Sequence, residues 1–149
     1  MRALGIFAVA SVLAISATVS GCAQPDEMKI ENPVIRLSAN PKAPAAGYFT
    51  LKGGPTADRL LSVTSPIVIR IDMHESMTSG GMATMKPLDG GVEIPVHGTV
   101  KFEEGGRHLM LFNINPGVKT GETVQLNFTF ASGLILQTFA PVRAPGSIN

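Results

Sequence analysis

The sequence holds a single cysteine, Cys22. One thiol cannot close a disulfide within the chain, so packing must hold the fold together. Nor can one cysteine near the N-terminus supply a thiolate metal cluster or a buried nucleophile within a domain far downstream. Charge of one sign is also missing. Twelve Lys and Arg stand against 11 Asp and Glu, with no basic run, and nucleic acid is therefore not an expected partner. No nucleophile–base pair or acidic dyad can be placed, so the chain does not read as an enzyme. No internal repeat is present, and no long segment carries apolar residues at helical spacing.

What is present begins at the N-terminus. Arg2 precedes the apolar, small-residue stretch "ALGIFAVASVLAISATV", which ends in "VSGC", Val19 to Cys22. A charged start, an apolar stretch and small residues before a cleavage point mark a secretory signal. The ending resembles a bacterial lipoprotein box, which implies cleavage before Cys22 and lipidation of its sulfur. Acyl chains hold such proteins to a membrane, and stable anchoring needs more than one chain. Ala23, rather than Asp, implies by the same resemblance a periplasmic protein held at the outer rather than the inner membrane of a Gram-negative host. Removing residues 1–21 leaves 128 of the 149 residues, enough for one domain with one core. Residues 22–33, the lipidated cysteine and "AQPDEMKIENP", read as a tether, 34–142 as the domain and 143–149 as a loose tail.

Within the domain, short β-rich runs alternate with Gly, Pro, Asn and Asp. They predict strands at Val34–Ser38, Gly47–Lys52, Asp58–Thr64, Ile67–Glu75, Thr84–Leu88, Gly98–Phe102, Arg107–Ile114, Thr123–Phe130 and Leu134–Pro141. "ASG" (131–133) and "EEGG" (103–106) read as hairpin turns. Many short strands at this spacing predict an all-β sandwich or barrel.

Methionine and histidine are concentrated in one window. Met73, Met77, Met82, Met85 and Met110 lie there, with His74, His97 and His108. Thioether sulfur and neutral imidazole suit a soft ion such as Cu(I), whereas carboxylates and carbonyls suit harder ones. In "RHLMLFNI", residues two apart share a face, so His108 and Met110 project together. In "IVIRIDMHE", Ile67, Ile69, Ile71 and Met73 form an apolar row, which makes Met73 a core residue. His74 faces the other way, with Val68, Arg70 and Asp72. Met85 opens the next run, where a hairpin would bring it near His74.

These residues resemble the periplasmic copper chaperones called PCuAC, whose pattern is His, ten residues, Met, about 21 residues, then His-x-Met. Here ten residues separate His74 from Met85, and 22 separate Met85 from His108, with Met110 completing the motif. "MKPL", "EIPVHGTVKFEEGGRHLMLFNI" and the closing "FAPV" fit the same frame, and the resemblance spans roughly Val34 to Val142. It implies an immunoglobulin-like, cupredoxin-like Greek-key sandwich that binds one Cu(I) through His74, Met85, His108 and Met110. It further implies copper delivery to an acceptor protein, notably the binuclear copper centre of cytochrome c oxidase. The chain departs from the pattern in three ways. The spacer is one residue longer, His97 stands where a small residue is usual, and Arg107 stands where an aromatic is common.

Met77 and Met82, beside the Ser79–Gly81 turn, are candidate accessory thioethers or a cover for the rim of the site. His97 reads as an exposed turn residue. A blue-copper electron carrier needs a cysteine thiolate at the metal, and Cys22 is in the wrong place. The alternatives are a copper storage or resistance protein, or a structural or adhesive envelope lipoprotein whose methionines only fill a core. The two histidines predict that copper affinity falls at roughly pH 6.5 and below, because imidazolium cannot ligate. The protein is expected to be a monomer.

Overall fold

In strand β2 (Ala45–Lys52) and strand β9 (Thr123–Phe130) every second residue is buried, as a pleated strand with one face on a core requires. The computed structural model describes residues 27–147, so the signal segment and Cys22 lie outside the described residues. The other strands are β1 (Lys29–Arg36), β3 (Asp58–Thr64), β4 (Val68–Ser79), β5 (Met82–Pro87), β6 (Val92–Ile94), β7 (Thr99–Phe102), β8 (Arg107–Ile114) and β10 (Ile135–Arg143). The expected all-β, cupredoxin-like sandwich is what forms.

One sheet runs β5-β4-β8-β2-β1, with β7 also on β2, and the other runs β10-β9-β3-β6. A short parallel pairing of β1 with β10, Ile35 with Val142 and Arg36 with Arg143, joins them. The core lies between the sheets. Ile35, Leu51, Leu60, Leu109 and Phe128 are fully buried, and no polar side chain is buried among the described residues. Each such apolar side chain contributes about 1.5–3 kcal/mol on burial. Phe49 stacks on Phe102 at 4.3 Å and meets Phe128 of the opposite sheet edge-on at 4.9 Å. The stacked contact lies within the first sheet, and the edge-on one ties the two layers together. Gly47 lets β8 approach β2, because a Cβ there would stand 3.1 Å from Leu109.

Several boundaries differ from expectation. The segment read as a tether is strand from Lys29 onward: Lys29, Ile30 and Glu31 pair with Lys52, Leu51 and Thr50. A bulge before Val34, with Asn32 at φ 50°, hides the alternation that would have announced it. At the other end, Arg143 is still in β10. The three-residue β6 is too short to show a period. Ile69 is 81% exposed, so the apolar row of β4 breaks there. Asn113, at the facing level of β8, has φ 53°, and the pairing passes from Val68–Ile114 to Arg70–Phe112.

The "EEGG" segment is not a hairpin turn. β7 and β8 both run antiparallel to the same edge of β2. Phe49 pairs with Phe102, whereas Gly47, two residues back, pairs with Leu109. Five extra residues, 103–107, therefore bulge out between two collinear strands. "ASG" does close the β9–β10 hairpin, with Gly133 at φ 88°.

Candidate metal centre

β4 is the element that gathers the site. It pairs with β8 on one side and β5 on the other. On the first side His74 stands opposite His108 and Asp72 opposite Met110. On the second, Ser76 stands opposite Met85. Directly opposed residues share a face, as do residues two apart on one strand. His74, Met85, His108 and Met110 therefore all lie on the outer face of the first sheet, turned away from Met73 and Leu109 in the core. His74 is central. His108 is its direct neighbour, and Met85 and Met110 are its two diagonal neighbours, about 7–8 Å away between backbones and within reach of long side chains.

The imidazoles of His74 and His108 lie nearly parallel, with ring centroids 6.2 Å apart. His108 Nδ1 lies 3.0 Å from the Gly106 carbonyl. A carbonyl only accepts, so Nδ1 carries the proton and donates it, leaving the Nε2 lone pair open. The same carbonyl accepts from the Ser76 amide at 3.0 Å, so the 103–107 bulge pins β4 and orients His108 together. Nδ1 of His74 is buried and has no hydrogen-bond partner among the described residues. An unpartnered buried polar atom is costly unless something binds it. Both histidines and Met110 are partly buried, whereas Met85 is 58% exposed.

A depression of about 260 Å³ adjoins His108 and Met110, and its wall includes Pro44, Ala46, Tyr48, Ser76 and Glu104. Arg36 donates to Glu104 at 2.9 Å and lies over the Tyr48 ring. Burial raises the Tyr48 phenol above its ordinary range, which keeps it neutral. Below the site, Arg70 covers Phe112 at 4.1 Å and pairs with Asp72 at 3.2 Å. Arg107 pairs with Glu75 at 3.3 Å, so these charges are partnered rather than simply solvated. No set of three His, Cys, Asp or Glu suited to a metal occurs among the described residues. The donors on this face are two imidazoles and two thioethers, beside the Asp72 carboxylate that Arg70 holds.

Met77 and Met82 belong elsewhere. They lie within β4 and β5, not in the turn, which is only Gly80 and Gly81 at φ 59° and 80°. Met77 opposes Thr84 and Met82 opposes Ser79, so both sit on the reverse face of the hairpin from Met85. Period-two counting could have separated them had the register of the turn been known. His97 stands beyond the far end of β7 from the site, where its amide bonds to the Gly54 carbonyl, about 20 Å away at ~3.3 Å per residue. Its φ is 51°, a conformation that explains why a small residue suits this position.

A family model described as "Putative lipoprotein LpqE-like" matches residues 28–142. The chain belongs to the LpqE-like family. Another protein similar to it, "Putative lipoprotein Lxx21020" of Leifsonia xyli subsp. xyli, is 26% identical over 140 residues, covering 94% of this chain and 83% of that one. Among solved structures, the copper-bound PCuAC domain from PmoF2 superposes with a TM-score of 0.66 at 22% identity, covering 80% of this chain and 94% of that domain. The solution structure of CuI-DR1885 from Deinococcus radiodurans gives 0.58 at 25% identity, covering 78% and 75%. This LpqE-like chain thus has the fold of PCuAC domains, in agreement with the resemblance read from its motif.

Proposed function

We propose that this LpqE-like protein is a Cu(I) chaperone of the cell envelope. It binds one ion between His74 and His108, with Met85 and Met110 closing from either side. The observation that carries this reading is the unpartnered, buried Nδ1 of His74 beside an oriented His108. A cation accepted there would satisfy the orphaned nitrogen, and two thioethers on the same face make that cation a soft one. The copper-bound state of the PmoF2 domain and the CuI form of DR1885, which share the fold, support it.

The chemistry is binding and exchange, not catalysis. A partly exposed thioether such as Met85 can be displaced by an incoming ligand while the imidazoles still hold the ion. The protein then passes Cu(I) to an acceptor such as the binuclear copper site of cytochrome c oxidase. Its family character as a lipoprotein supports a lipid anchor at Cys22, which would hold the protein, in this reading a monomer, at a periplasmic membrane face, the outer membrane in a Gram-negative host.

The test is an anaerobic Cu(I) titration of the domain against a chromophoric competitor. His74→Ala, Met85→Ala, His108→Ala and Met110→Ala are measured beside the wild type. One tight site, weakened by each change, is the expected result. No site, or one indifferent to all four, would return the chain to a structural envelope lipoprotein.

A further inference from the structure

Among the described residues β5 ends the first sheet, and all six of its own residues are exposed. The two-residue Gly80–Gly81 turn, with positive φ at both positions, is of the kind that makes its flanking pair, Ser79 and Met82, exchange backbone hydrogen bonds. Alternation then points the amides of Met82, Thr84 and Lys86 inward to β4. The bond from the Leu88 amide to the Met73 carbonyl, at 2.9 Å, keeps the same phase. The N–H and C=O groups of Ala83 and Met85 consequently point outward, away from the sheet. Pro87, next in that outward series, has no N–H and ends it.

Open edges are ordinarily blunted by charge, proline or a covering segment. Here "MATM", Met82 to Met85, carries no charge, and Lys86 and Pro87 protect only the far end. The unprotected part of the edge is the part that bears Met85.

We propose that the copper acceptor docks by adding an extended segment to the β5 edge. The segment pairs with the backbone of Ala83 and Met85 and carries a cysteine thiol beside the Met85 side chain. This rests on the copper reading above and names how its partner is recognised. Main-chain pairing supplies the affinity, and the alternating side chains place the incoming sulfur. In the exchange, one bond from copper to the Met85 thioether breaks and one to the cysteine sulfur forms. The thiol proton goes to solvent, and copper stays Cu(I) throughout.

The test uses the Cu(I)-loaded protein and, as probe, a reduced soluble domain carrying the binuclear copper site of cytochrome c oxidase. Two variants leave the proposed ligands intact. Ala83→Pro removes an outward N–H that β4 does not use, and Thr84→Lys puts a charge on the edge strand from the reverse face. Both are expected to keep wild-type Cu(I) affinity while copper transfer slows at least ten-fold. In the wild-type complex, amide exchange should slow at Ala83 and Met85 and stay unchanged at Thr84, which is already paired. Transfer from both variants at the wild-type rate, no transfer from any form, or protection confined to other strands would overturn the proposal. So would protection of Ala83 and Met85 without acceptor that rises with protein concentration, which would assign the edge to a second copy. Failure of the copper reading shows separately, as a wild-type protein that takes up no Cu(I).

Discussion

His74 and His108 face each other across adjacent antiparallel strands, with ring centroids 6.2 Å apart and planes inclined by 24°. Thirty-four positions separate them in the chain. Their meeting depends on the β4–β8 register, because a slip of one residue would turn one ring to the face opposite the other. The same register sets Met110 on one diagonal of His74, and the β4–β5 register sets Met85 on the other.

Two methionines of this region should respond in opposite ways to truncation. Met73 is 8% exposed in the core, and Met85 is 58% exposed. Met73→Ala should lower stability by about 2–5 kcal/mol through the cavity it leaves, with Cu(I) affinity of the folded protein nearly unchanged. Met85→Ala should change stability by less than about 0.5 kcal/mol and weaken Cu(I) binding roughly ten-fold, about 1.4 kcal/mol. Urea melts beside competitor titrations check both. A strong stability loss in Met85→Ala would show that its sulfur packs rather than ligates.

The hairpin turn should control the site from a distance. An added Cβ at Gly80 or Gly81 meets nothing within 4 Å, so substitution acts only through the left-handed backbone. Gly81→Ala should cost about 1 kcal/mol of local stability, fray the β4–β5 pairing and weaken Cu(I) binding without removing a ligand. Amide exchange at Thr84 should speed up in parallel. Unchanged exchange with weakened binding would contradict the link.

Acid should loosen the β9–β10 hairpin through Asp58. Partial burial raises its carboxyl, but hydrogen bonds from Ser132 and from the amides of Arg59, Ser132 and Ala131 outweigh this and hold it below its ordinary value. A carboxylate depressed in the folded state contributes stability that is present above its unfolded pKa of about 3.9 and is lost as pH falls through the folded value. Asp58→Asn should therefore lower stability at pH 7 and flatten the stability profile below about pH 4. Denaturant midpoints at pH 3, 4, 5 and 7 measure it. A variant profile parallel to the wild type would remove Asp58 from the account.

His97 should prove irrelevant to copper. It lies beyond the far end of β7, in the turn where the Gly98 amide bonds to the Pro95 carbonyl at 2.9 Å. His97→Gly suits the local φ of 51° and should leave Cu(I) affinity within a factor of two of wild type. A drop of ten-fold or more would place a third imidazole at the metal.

Strand-by-strand reading reached the fold most directly where alternation is regular, as in β2 and β9. It failed where the backbone is irregular. Asn32 and Asn113 take left-handed conformations, and the alternation around each is broken, hiding the start of β1 and exposing Ile69. The 103–107 bulge reads like a hairpin because glycine and acidic residues suit both. Whether the chain reverses depends on what β2 pairs with on either side.

The sequence by itself determined the kind of chemistry: two imidazoles and two thioethers at a fixed spacing, with no second thiol. Period two also paired His108 with Met110 and separated His74 from Met73, because side-chain direction along one strand is a local property. Only the tertiary structure decided which of the remaining methionines share the face of His74. Met85 falls on the face of His74 and His108, and Met77 and Met82 on the reverse face, because a two-residue turn sets that register. Tertiary structure also left Nδ1 of His74 unpartnered and the β5 edge open, since burial and strand neighbours come from parts of the chain far away in sequence.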